Sequence, residues 1–169
     1  MRSLKEIAGI IFVLFVFYSS PIYAGSSLSS QDIGIGECWS NPQEECTTDS
    51  RDLQKGVLLF KDKRYLEALL EIESFISVHA QTAKGMQSSL KEYVWESKEK
   101  IMSYADLNDV ALALFIKGDA LKNLGRFKEA REAYKKLIDE YYYGQCWCPT
   151  GWFAKPAEAA YMRLDDLNR

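Results

Sequence analysis

Four cysteines, Cys38, Cys46, Cys146 and Cys148, and one histidine, His79, are the residues whose types could ligate a metal, carry electrons or act as nucleophiles. Their spacing narrows the chemistry. The cysteines read C-x7-C and C-x-C, whereas zinc ligands usually stand two to four residues apart, so a four-cysteine site is disfavoured and no metal is expected. Thioredoxin-like chemistry needs C-x-x-C and haem attachment C-x-x-C-H, and neither occurs, so no cofactor is expected. A covalent catalyst needs a nucleophile beside its base. His79 falls near the end of an expected helix, where a solvated cation complementing the dipole is the ordinary role. The acid pairs Glu44-Glu45 and Asp165-Asp166 fall in an irregular leader and near the C-terminus, where solvation accounts for them. No phosphate-cradling, dinucleotide-binding or H-E-x-x-H motif is present. No catalytic residue is assigned, and the chain is not read as an enzyme.

The cysteines have a different use if the chain is exported. Residues 1–24 show a charged start (Arg2, Lys5), an apolar run from Ile7 to Tyr18 and a polar exit ending at Ala24, the pattern of a secretory signal peptide. The run is shorter than the ~20 residues a transmembrane helix needs, so no membrane insertion is expected after cleavage. Export to the periplasm, or secretion, then favours two disulfides over free thiols. Linking the leader to the C-x-C segment closes about 100 residues, worth roughly 4.7 kcal/mol, against roughly 2.6 for a local Cys38–Cys46 bond. Proximity favours the local bonds, and the connectivity stays open. Cys146-Trp147-Cys148 also leaves a second reading, a periplasmic thiol-disulfide protein.

Twenty-one Lys+Arg against 24 Asp+Glu leave a formal charge of −3, so no basic surplus exists to neutralise a nucleic-acid backbone. With 47% hydrophobic and 27% charged residues, the composition is that of one ordinary globular domain. Residues 25–48 are rich in Gly, Ser, Gln and Pro without helical period and form an irregular leader. From residue 49 to 169 apolar residues recur three and four apart, with breaks at 61–64, 82–85, 123–126 and 144–153. The expected elements include one long amphipathic helix over 84–104 and a capping helix over 156–168 that opens on Pro156. No strand is expected.

Two windows match at an offset of 62 residues. Gly56 and Gly118 are each followed by an aromatic (Tyr65, Phe127) and then an alanine (Ala68, Ala130) at equal distances. A small residue suits the close approach of two antiparallel helices, and the aromatic would fill the turn. These residues resemble the tetratricopeptide repeat, a 34-residue helix-turn-helix unit. Residues 111–144 carry the fuller match through Gly118, Leu121, Gly125, Phe127, Ala130 and Tyr134. Residues 49–82 keep Gly56, Leu59, Tyr65, Ala68 and Ile72, with Lys63 where the turn glycine would stand. The resemblance implies an all-α fold, a short α-solenoid of about six helices with extra long and capping helices.

It also implies a concave groove lined by the first helix of each repeat, here Leu53, Val57, Phe60, Phe115, Asp119, Lys122 and Asn123. Such a groove would bind another protein or a peptide segment presenting apolar anchors. The aromatic run Tyr141, Tyr142, Tyr143, Trp147, Trp152 and Phe153 is read as packing that pins the loop around the C-x-C segment. The expected function is a non-enzymatic interaction or scaffold protein of the cell envelope.

Overall fold

The computed structural model describes Thr48, residues 50–148 and residues 151–169. The expected signal peptide 1–24, the leader up to residue 47, and Cys38 and Cys46 lie outside the described residues. Six helices hold 71% of the described residues, beside one two-stranded hairpin, so the fold is all-α in class. In chain order they are α1 (Arg51–Lys61), α2 (Tyr65–Ser89), α3 (Lys98–Met102), α4 (Ala105–Asn123), α5 (Phe127–Glu140), β1 (Cys146–Cys148), β2 (Trp152–Ala154) and α6 (Pro156–Asp166).

The helices pack as two hairpins, α1–α2 and α4–α5, whose turns repeat each other bond for bond. In the first, the Lys63 N–H donates to Phe60 O at 2.9 Å and the Arg64 N–H to Leu59 O at 2.9 Å. At the same offset of 62, the Gly125 N–H donates to Lys122 O at 3.0 Å and the Arg126 N–H to Leu121 O at 2.9 Å. Both turns pass through a left-handed residue, Lys63 at φ 60° and Gly125 at φ 73°. Each second helix then opens with an arginine gripping a glutamate three residues on: Nε to Oε1 is 2.7 Å for Arg64–Glu67 and for Arg126–Glu129. The spacing read from Gly56 and Gly118 is therefore a repeated geometry.

Three local expectations are corrected. No break occurs at 82–85: α2 runs on to Ser89, with Ala83 fully buried and Lys84 paired with Glu140 at 2.8 Å. Tertiary packing along α4 outweighs the ~1 kcal/mol that Gly85 costs a helix. The single helix expected over 84–104 does not form. The hydroxyls of Ser88 and Ser89 bond back to Lys84 O and Met86 O, and α2 ends. Tyr93 and Val94 are then buried in a loop, leaving only the short α3. The third correction is the β1–β2 hairpin, in register Cys146↔Ala154, Trp147↔Phe153 and Cys148↔Trp152. Three-residue strands are too short to leave an alternating pattern, and Gly151 at φ 97° turns the chain between them. His79 consequently lies well inside α2 rather than near its end.

The core runs along α4, which packs on α2, α5, α6 and α1. Gly118 gives α5 its close approach, since a Cβ there would stand 2.2 Å from Tyr134 Cε1, and Tyr134 is fully buried. Replacing Gly118 by Ala should destabilise the chain by about 1–3 kcal/mol through overpacking, read from the denaturation midpoint. The two turns supply a reciprocal test. A Cβ at Gly125 meets no atom, so only backbone strain separates the two sites. Lys63→Gly should stabilise by about 0.5–1 kcal/mol and Gly125→Lys should destabilise by a similar amount, measured by urea unfolding.

Candidate functional site

The seven groove positions do not share an open surface. Leu53 and Phe115 are 0% exposed, and Val57 is buried beside them in the core. Phe60 is half-buried and packs its ring on Tyr65, 5.6 Å away. Lys122 is half-buried at the end of α4, and exposed Asn123 turns its amide back to donate to Asp119 O at 2.8 Å. Four of the seven, Phe60, Asp119, Lys122 and Asn123, thus retain solvent contact. The continuous apolar groove implied by the resemblance is corrected to a packed interior at Leu53, Val57 and Phe115.

In the second hairpin the groove face is occupied from within. Arg163 of α6 places its guanidinium 5.5 Å from the Phe115 ring centroid and donates from Nε to Asp119 Oδ1 at 3.1 Å. The Tyr134 hydroxyl donates to the same oxygen at 2.6 Å. One half-buried carboxylate therefore ties α4, α5 and α6 together. Burial pushes the Tyr134 phenol well above the usual tyrosine range, and the negative charge of Asp119 adds to the shift.

On the opposite side of α4, His79 stacks on Phe75 at 4.2 Å, and its Nδ1 stands 2.5 Å from Asp106 Oδ1. This histidine joins α2 to the start of α4, in place of the solvated role expected of it. Asp165, one of the acids read as solvated, pairs with Arg169 on the exposed end of α6.

The aromatic run closes the bundle below the hairpins. Tyr141 is fully buried, while Tyr142, Tyr143, Trp147, Trp152 and Phe153 are half-buried. Tyr143 fastens the loop after α2: its hydroxyl donates to Lys91 O at 2.6 Å, and its N–H to Gln87 Oε1 at 2.9 Å. Buried Gln145 continues the clasp, donating from Nε2 to Val94 O at 3.0 Å and from its N–H to Asn108 Oδ1 at 2.9 Å. Tyr93 packs against Tyr142 and Tyr143 at 5.6 and 5.5 Å, and burial raises its phenol too. The residues that the sequence reading missed here are Tyr93, Trp95 and Lys155. Tyr93 and Trp95 fall within the long helix expected over 84–104, and Lys155 stands just before the expected capping helix with no signal beyond its charge. Lys155 Nζ lies 4.7 Å above the Trp95 ring, which is 65% exposed.

The apolar surface left open lies elsewhere. Leu66 and Leu70, one turn apart on α2, are 62% and 69% exposed, and Phe127 at the start of α5 is 50% exposed. Phe127 therefore does not fill its turn. Glu73 of α2, one turn past Leu70, pairs with Lys117 at 2.9 Å and lines one cleft with Glu129, two residues past Phe127. Among the described residues no cluster of His, Cys, Asp or Glu is arranged to hold a metal, and no helix is long and apolar enough to cross a membrane.

Tyr93 and Tyr134 keep their protons in the folded chain, whereas unfolded tyrosine ionises near pH 10. Their contribution to stability is complete below about pH 10 and falls as pH rises above it, because ionisation favours the unfolded state. Alkaline titration followed by phenolate absorbance should show a tyrosine fraction that ionises only together with loss of helical circular dichroism. A smooth titration of all tyrosines in the folded protein would contradict the burial.

No family model matches the chain, and neither does any curated protein or solved structure compared with it.

Proposed function

We propose that this chain is a non-enzymatic protein-interaction or scaffold module, exported to the cell envelope, that resembles a short tetratricopeptide-type solenoid. The observation that carries the reading is the pair of helical hairpins with identical turn bonding, stacked through α2 and α4. Repeated hairpins of this kind make surfaces for other chains, and a large exposed apolar residue needs a use when several gather in one place. The surface proposed for the partner is the exposed stripe of α2 that carries Leu66 and Leu70, one turn apart. An amphipathic partner segment with apolar anchors fits that pattern.

The thiol-disulfide reading needs an accessible thiolate. Cys146 and Cys148 are 4% and 0% exposed, and neither is a free thiol, which favours the scaffold reading.

The test separates surface from core. Leu66→Asp with Leu70→Asp should leave stability within about 0.5 kcal/mol, since both side chains are solvated. The same pair should abolish chemical crosslinking to a partner in an envelope fraction. Phe115→Asp should instead unfold the chain, because it buries an unpaired charge. A stable Leu66/Leu70 variant that crosslinks as the wild type does would remove this surface from the proposal.

A further inference from the structure

Cys146 and Cys148 are the inward residues of β1, buried on either side of the outward Trp147, whose ring packs on Phe153 at 5.0 Å. Neither is a free thiol. Residues two apart on a strand point the same way and stand roughly 6.6–6.8 Å apart. A disulfide needs its Cβ atoms within about 3.5–4.5 Å, so the two cannot bond each other while β1 keeps its ladder with β2. The chain has only two other cysteines, Cys38 and Cys46.

The start of the described chain points to which bonds which. Thr48 is 6% exposed and held in place: its Oγ1 accepts the Ser50 N–H at 3.0 Å, and its carbonyl accepts Gln54 Nε2 at 2.8 Å. It lines one cleft with Asn108, Gln145, Cys146 and Trp147. Cys46 is two residues upstream, within about 7 Å of Thr48 along the chain. We propose that Cys46 is bonded to Cys146 and Cys38 to Cys148, so that two disulfides strap the leader to β1. Each bond forms when two thiols give up two protons and two electrons to a disulfide oxidant such as oxidised glutathione, which becomes two thiols. The strap is independent of which surface a partner uses.

The test uses the full chain refolded in a glutathione redox buffer, alkylated without reduction, and cut with trypsin and a glutamate-specific protease that cleaves between Cys38 and Cys46. The intact mass should be lower than that of the reduced chain by the four hydrogens of two disulfides. The Cys38 and Cys46 fragments should both stay attached to the fragment carrying Cys146 and Cys148. Partial reduction with differential alkylation should then release Cys46 together with Cys146. A Cys38–Cys46 pair freed from the hairpin fragment, a Cys46–Cys148 bond, or any alkylated thiol in the unreduced chain would overturn the proposal.

Discussion

α4 has almost no face that water can solvate. Twelve of its 19 residues are buried, including the unbroken run Val110–Ile116. A helix apolar all round has no stable edge position in a bundle and must be enclosed by neighbours on every side. α2 is long because it covers the length of α4, α5 and α6 cover the rest, and the loop and hairpin at the far end close over its first turns. Polar groups on α4 address the elements around it, two of them meeting α2. Asp106 meets His79 of α2, the Asn108 amide donates to Ile101 O of α3 and its oxygen accepts from Gln145, Lys117 pairs with Glu73, and Asp119 receives Tyr134 and Arg163. Apolar burial drives the enclosure, and these partnered polar groups set the register of each helix against α4.

That enclosure explains why the chain keeps hairpins like those of a solenoid yet lacks a deep groove. The face of the second hairpin that would line a groove carries Phe115 and Asp119, and α6 lies over both. Inner faces left open on the two hairpins would expose Leu53, Val57 and Phe115 together. α6 covers the face that carries Phe115. Leu66, Leu70 and Phe127 remain solvated.

The parts of this fold that are legible in the sequence are those governed by local chemistry. The two turns show themselves through Gly125, the matching Lys63, and the small residues Gly56 and Gly118 where helices nearly touch. Pro156 marks the start of α6 correctly. The length of α2 is illegible because Gly85 and Thr82 read as a break, while the contacts that hold this stretch, Lys84 with Glu140 and Gln87 with Tyr143, lie far along the chain. The loop over 90–97 is hidden for the opposite reason: Leu90, Tyr93 and Val94 keep a helical spacing, but their partners are Tyr142, Tyr143 and Gln145. The seven groove positions lie on α1 and α4, the first helix of each hairpin. Which of them stay open depends on where α6 docks, and no spacing within a repeat encodes that.

The shared oxygen of Asp119 has a consequence for how this protein can change. Tyr134 and Arg163 sit on different helices, 29 positions apart, but both answer to one carboxylate. Loss of Asp119 would strand a buried hydroxyl and a guanidinium at once, and loss of either donor alters what the other is worth. Substitutions at the three positions will therefore not add as independent steps. A lineage that abandons the triad must pass through a less stable intermediate or replace all three groups nearly together.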